Sequence, residues 1–192
     1  MVTFTSDHLE GAHRVRERLR ELATLLPGDS RWTRYVMPTG GPLLPGLDGR
    51  TCLPCQRSYV AAGTVVALHE RISTLAVGYS AYQSDWPEQS PAAIAALTSI
   101  LAERSIRLLL PLQDVRSKED AKSALLAVGL SAESREQKCT KQVSNVALAP
   151  EVLHDEIARW GAGISAMLDD PSNITLRVIE DATLRSWWGR DA

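Results

Sequence analysis

Cys52-Leu53-Pro54-Cys55 sets two thiols either side of a two-residue gap. At that spacing both sulfurs can face one metal ion, or one thiol can stabilise the other as a thiolate. The third cysteine, Cys139, lies 84 residues further on in Glu136-Gln137-Lys138-Cys139-Thr140, so only the fold can bring it to the pair. Gathered together, three thiolates leave one position open on a zinc ion or a four-iron cluster, and an open position is what a substrate or a sulfide needs. The bland alternative is three ordinary thiols, the pair at a helix start and Cys139 in a loop, since free cysteine packs as a small hydrophobe. A dithiol redox pair fits less well, because it would sit at the head of a different strand order and has no use for Cys139.

Gly78-Tyr79-Ser80-Ala81-Tyr82-Gln83-Ser84-Asp85 follows an apolar run, which places its backbone and polar side chains at the ligand edge of a sheet. There Asp85 could hold a metal or a substrate donor; alternatively, Asp85 and Glu88 only complement the dipole of the next helix. Lys118 stands one residue past a helix cap, where a cation is disfavoured unless a bound anion reverses the sign. A solvated lysine with its stem along the helix is the plain reading. His8 and His13 lie near the end of the first strand without a spacing partner, which suits surface histidines. Thr39-Gly40-Gly41 has the glycines of an anion cradle, but Pro42 and Pro45 make a poor helix start, so it reads as a turn.

The elements that must position these residues follow from composition and periodicity. Of the 192 residues, 44% are hydrophobic and 23% charged, with a net charge of -2, which is the profile of a soluble globular domain. With 21 basic against 23 acidic residues, there is no global field for nucleic acid, and any such contact must be local. With 5% aromatic residues and 22 glycines and prolines, the chain fits a helix-rich α/β domain better than a many-stranded sandwich, and three cysteines are unlike a disulfide framework. No apolar run approaches the roughly 18 residues of a membrane span, and Met1 to Glu10 lacks a signal peptide's pattern, which implies a cytoplasmic setting without membrane contact.

Strands are expected at Val2-Phe4, Trp32-Met37, Ser73-Gly78, Ile106-Leu110 and Ile174-Ile179. Between them lie an amphipathic helix carrying Val15, Leu19, Leu22 and Leu26, a small-residue helix over Ser58-Glu70, and a helix over Ala92-Arg104 capped by Ser90-Pro91. A fourth helix runs from a capping box at Ser117 through Val128 to Gly129, and a fifth covers Val152-Leu168. The loop from Pro38 to Gly49 reads as a site rim, and the Trp187-Trp188 tail as a surface for a partner. Such alternation predicts a three-layer α/β fold with a mostly parallel sheet covered by helices on both faces, and ligands beyond the carboxyl ends of the strands after Phe4, Met37, Val77 and Leu110.

Taken in order, Gly49-Arg50-Thr51-Cys52-Leu53-Pro54-Cys55, the small-residue helix, Leu75-Ala76-Val77-Gly78-Tyr79, Trp86-Pro87-Glu88, Leu110-Pro111-Leu112, Ser117-Lys118, Gly129-Leu130 and Cys139 resemble the PP-loop ATP pyrophosphatase superfamily. The likeness runs over roughly residues 1 to 145. The Gly78-Pro87 and Pro111-Lys118 stretches are similar to 7-cyano-7-deazaguanine synthases, whereas the cysteines resemble those of iron-sulfur tRNA thiolation enzymes. The resemblance implies a Rossmann-like nucleotide fold using ATP and magnesium, over residues 1-150, with a helix and tail over 151-192 packing on it. It implies adenylation of a deazapurine or tRNA substrate, followed by displacement of AMP by a nitrogen or sulfur nucleophile. Lys118, Gly78 and Tyr79 would then contact the nucleotide and the adenylated substrate, with Asp85 and Cys139 as catalytic candidates. Cys52, Cys55 and Cys139 would be ligands of a 4Fe-4S cluster or zinc. One departure is marked: the family's Ser-Gly-Gly-x-Asp-Ser loop is absent, and Val2-Thr3-Phe4 resembles the family's second strand. Either another chain of an oligomer supplies that loop, or the chain is a non-catalytic nucleotide-binding or assembly subunit.

Overall fold

The computed structural model describes residues 1–37, 49–141 and 144–187. The Thr39-Gly40-Gly41 turn, nearly all of the Pro38-Gly49 rim and Trp188 lie outside the described residues, as does the Trp187 side chain. In chain order the elements are β1 (Val2–Thr5), β2 (Leu9–Glu10), α1 (Ala12–Leu22), β3 (Arg31–Val36), α2 (Leu53–His69), β4 (Thr74–Ala76), α3 (Pro91–Ala102), β5 (Arg107–Leu109), α4 (Lys118–Ala127), β6 (Lys138–Cys139), α5 (Pro150–Asp169) and β7 (Arg177–Thr183). They divide into two compact units, each assembled from separate stretches of chain.

The first unit comprises Met1–Thr39, Lys118–Thr140 and Thr175–Ala192. Its β-branched and aromatic segments suit pleated surfaces. β3 is the centre of a three-stranded sheet, parallel to β1 with Val2 opposite Thr33, and antiparallel to β7 with Arg31 opposite Thr183. The register of β3 and β7 shifts between Arg34 and Tyr35. A two-residue antiparallel pair, β2 with β6, sets Leu9 opposite Cys139. Val15, Leu19 and Ala23 recur at helical spacing and pack with Trp32 and Leu184 as a small apolar core. The Trp32 indole donates to Thr3 Oγ1 at 3.0 Å, so its polar edge is not stranded. α4 closes at Gly129, whose φ of +79° is the left-handed conformation that glycine adopts without strain.

Gly40–Ser117 and Lys141–Ile174 form the second unit. Here Leu53, Val60, Leu97, Leu101, Ile157, Trp160 and Ile164 are the larger part of one buried core shared by α2, α3 and α5. β4 and β5 pair in parallel across it, Thr74 opposite Arg107 and Ala76 opposite Leu109. α3 begins as its sequence signals: Ser90 caps it by accepting from the Ala93 N–H at 3.2 Å, with Pro91 at the first position. α2 begins earlier than expected, at Leu53 rather than Ser58, because Cys52 serves as cap and Pro54 tolerates the first turn. The Trp160 indole donates to the Leu53 carbonyl at 3.0 Å, tying α5 to the start of α2.

A mixed α/β fold is thus present, in small pieces. Strand pairing is parallel for β1/β3 and β4/β5 but antiparallel for β3/β7 and β2/β6, in three small sheets among the described residues. The last strand lies at Arg177–Thr183 rather than Ile174–Ile179, and it is antiparallel because the edge of β3 it meets runs against it. The first helix stops at Leu22, although apolar periodicity continues to Leu26.

Candidate functional site

Beyond the carboxyl ends of β4 and β5, the second unit has a cavity of about 360 Å³, within the roughly 300–1,000 Å³ typical of small-ligand sites. The loop after β4 supplies Tyr79, Ser80 and Ser84, and the loop after β5 supplies Leu110 and Gln113. Gln89 and Ile94 close the third side. The Tyr82 N–H donates to the Val115 carbonyl at 3.3 Å and joins the two loops. Gln89 is fixed by accepting from the Ser80 N–H at 3.1 Å and donating to Gln83 Oε1 at 3.3 Å. Among the described residues no charged side chain lines this space, so its hydrogen-bonding groups suit the edges of a flat heterocycle rather than a phosphate.

The start of α2 holds a second polar group. Glu88 is 1% exposed, and its carboxylate accepts from the Thr51 hydroxyl at 3.4 Å and from the backbone N–H and thiol of Cys52. Burial pushes the Glu88 carboxyl above the usual glutamate range, and those hydrogen bonds only partly offset it. Tyr79, also buried, is pushed up by burial, by Glu88 and by Cys52, and its hydroxyl donates to Gln56 Oε1 at 3.4 Å. The Cys52 sulfur lies 3.9 Å from Asn145 Oδ1.

In the first unit, Lys118, Lys122 and Leu125 of α4 face Arg18 and Glu133-Arg135-Glu136 across a cleft of about 500 Å³. Arg18 is committed to Glu21 at 2.5 Å and to the Ser131 carbonyl at 2.9 Å, and Arg135 to Glu17, Glu21 and Glu133. Lys118 and Lys122, one turn apart, are therefore the cations of this cleft left without an ion pair among the described residues. That pair of point charges fits an anion such as a phosphate.

The expected site residues fall in different places. Tyr79 lines the neutral cavity. Gly78 is exposed beside it, and a Cβ there would meet only Leu112 at an ordinary 3.8 Å, so no close approach requires glycine. Asp85 is exposed in the following turn and does not line the cavity. Lys118 is exposed at the first position of α4. Cys52 and Cys55 open α2 in the second unit, whereas Cys139 is held on β6 by β2 in the first. No group of three or more His, Cys, Asp and Glu side chains able to hold a metal occurs among the described residues. The Cys52 thiol is engaged by Glu88 and Asn145. His8, expected at the surface, is 4% exposed and bonded to Ser6 at 3.0 Å. Sequence reasoning left out Gln89 and took Glu88 only as complementing the dipole of the next helix; the available signal was their place between Pro87 and Pro91, a stiff segment that cannot turn a side chain out freely.

No protein-family model matches the chain, and comparison with curated proteins gives no match. Among solved structures, the fold is similar to that of a 4-thiouridine synthetase in a complex with RNA and bound ATP, with a TM-score of 0.53 at 16% identity. The likeness covers 93% of this chain and 48% of that one, so the chain spans about half the length of that protein. At this identity it is a likeness of fold. No helix among the described residues is long and apolar enough to cross a membrane.

Proposed function

We propose that the chain is a PP-loop-type component of an ATP-dependent nucleobase-modifying enzyme, and that the cavity beyond β4 and β5 receives the base. The observation that carries this reading is the uncharged lining of that cavity at the carboxyl ends of two parallel strands. Gln113 and Ser84, whose side chains have no partner among the described residues, would bond the edge of a flat heterocycle between the walls of Tyr79, Ile94 and Leu110. ATP, when bound, supplies an adenylyl group that turns a carbonyl or carboxylate oxygen of the base into a leaving group. By the resemblance, Lys118 would meet the phosphates of ATP. The Ser-Gly-Gly-x-Asp-Ser loop that would grip pyrophosphate and magnesium is absent from the sequence and would come from a second chain of a cytoplasmic hetero-oligomer. A 7-deazapurine acid with ammonia as nucleophile is the substrate class that the Gly78 loop favours. The likeness of fold to a 4-thiouridine synthetase favours a second reading, in which the base belongs to RNA and sulfur is the nucleophile.

Isothermal titration calorimetry separates the readings. A 7-deazapurine carboxylic acid should bind the isolated chain, and Ala95→Trp, at the cavity lining, should abolish that binding. Gln113→Ala should weaken it about tenfold, the loss of one hydrogen bond of roughly 1.4 kcal/mol. Binding of a uridine-bearing RNA hairpin instead, equally blocked by Ala95→Trp, would select the RNA reading. If neither binds, or if Ala95→Trp changes nothing, the cavity is not the base site.

A further inference from the structure

The start of α2 holds two thiols and a buried acid that the nucleotide reading does not use. We propose that Cys52 and Cys55 form a thiol–disulfide exchange site, with Cys52 as the attacking thiol, Cys55 as the resolving thiol and Glu88 as proton acceptor. This assignment is independent of what the neutral cavity binds.

Three features of the geometry converge on it. Cys52 is the cap of a 17-residue helix, and the positive end of the helix dipole favours negative charge on its sulfur. Cys55 follows three positions on, and i, i+3 neighbours on a helix have Cβ atoms about 5–6 Å apart; a disulfide needs roughly 3.8 Å. As the cap, Cys52 joins the helix only through its carbonyl, which accepts from the Gln56 N–H at 2.8 Å, so a turn of its side chain toward Cys55 leaves that bond and the ladder from Leu53 onward intact. Both sulfurs belong to half-buried residues that a small disulfide can reach, and no disulfide joins either one. Third, Glu88 is a buried carboxylate whose partners are the neutral Thr51 hydroxyl and Cys52 thiol and backbone amides, with no cation among the described residues to balance it. Leaving a charge buried without a counter-ion is costly, and its placement on the thiol is what that cost obtains. Burial also favours the protonated form of Glu88, which suits a group that must take up a proton and return it.

The exchange balances with an incoming disulfide as oxidant. The Cys52 thiol passes its proton to the Glu88 carboxylate, and its sulfur attacks one sulfur of the incoming S–S bond. That bond breaks, and the first thiol leaves with the proton from Glu88. The Cys55 sulfur then attacks the Cys52 sulfur of the mixed disulfide, and the second thiol leaves with the proton of Cys55. The chain loses two electrons and two protons, and the incoming disulfide gains both.

The test uses the full chain equilibrated with oxidised glutathione, quenched in acid, alkylated and mapped by peptide mass. The expected product is a Cys52–Cys55 disulfide with Cys139 alkylated, and Cys55→Ser should accumulate glutathione on Cys52. Glu88→Gln should slow exchange by roughly a hundredfold, the lower end of what a positioned general base supplies, with Glu88→Asp recovering part of the rate. Cys52 and Cys55 both alkylated under full oxidant, or a disulfide to Cys139 in place of the pair, would overturn the proposal. So would stoichiometric zinc or iron that shields all three thiols. An unchanged rate in Glu88→Gln would remove Glu88 from the mechanism.

Discussion

The two units of the chain hold together by different means. The second has a continuous apolar core of leucine, isoleucine and tryptophan from three helices, with Ala61, Ala62 and Leu97 fully buried. The first has, among the described residues, a core cluster of four buried residues and adds charge: Arg31 grips Asp181 through two bonds of 2.8 Å, Arg34 and Arg16 converge on Glu180, and Arg135 meets Glu17, Glu21 and Glu133. Apolar burial does not weaken with charge screening or protonation, whereas ion pairs weaken with both. A preformed neutral cavity is therefore found in the unit with the rigid core, and the cationic cleft in the unit built from charges.

This contrast can be broken most directly in the second unit. Trp160→Ala removes a side chain that is 3% exposed and leaves the Leu53 carbonyl without its donor. It should cost about 4 kcal/mol in urea unfolding, and a cost below roughly 1 kcal/mol would deny that the core governs this unit. Next in size is Glu180→Ala, which strands two arginines and should cost about 2 kcal/mol at neutral pH. Burial opposes ionisation of Glu180, yet the bonds from Arg16 and Arg34 hold its carboxyl below the usual 4.5. Arg31, against a smaller opposing effect of burial, holds that of Asp181 below 3.8.

The sign with pH then follows. Both carboxylates bind protons less tightly in the folded state, so their stabilisation is present above those ordinary values and is lost as pH falls through the depressed folded ones. Glu88 runs the other way, its contribution complete below its ordinary 4.5 and lost as pH rises through its higher folded value. Hydrogen exchange mapped by peptide should accordingly show β3 and β7 losing protection on acidification before α2, α3 and α5 do. The reverse order would sink the comparison.

Smaller effects sharpen it. Ser90→Ala removes the cap of α3 and should cost about 1 kcal/mol, read from the urea midpoint of the second unit. Arg31→Ala should cost less than about 1 kcal/mol, because the pair it breaks is exposed. In a double-mutant cycle with Asp181→Ala, the coupling should vanish in 1 M salt, where the Debye length is about 3 Å.

Where the chain signals locally, the sequence was legible. The cap at Ser90-Pro91, the closure of α4 at Gly129, and β1, β3, β4 and β5 all lie within a few residues of their expected places. The short pair β2/β6 has no periodicity to read, because two residues cannot show one. Helix α2 was placed late because its near-uniform apolarity hides where the turn begins, and only Pro54 marks it. Of the cavity, the loop containing Tyr79 follows β4 as the apolar run before Gly78 signals, although β4 itself is only half-buried. Asp85, from the same loop, points elsewhere, because a 3-10 turn over Ala81–Gln83 intervenes.

By itself, then, the sequence determined where five helices and four of the strands lie, and where several of them begin and end. These are properties of neighbours a few residues apart, governed by dihedral preference and capping. Only the tertiary structure decided that Cys139 sits on a strand of the other unit, that β7 returns antiparallel, and that Glu88 is buried against the Cys52 thiol. Those depend on which surfaces exclude water together, and burial over distances of 36 or 87 residues of chain leaves no mark on local pattern.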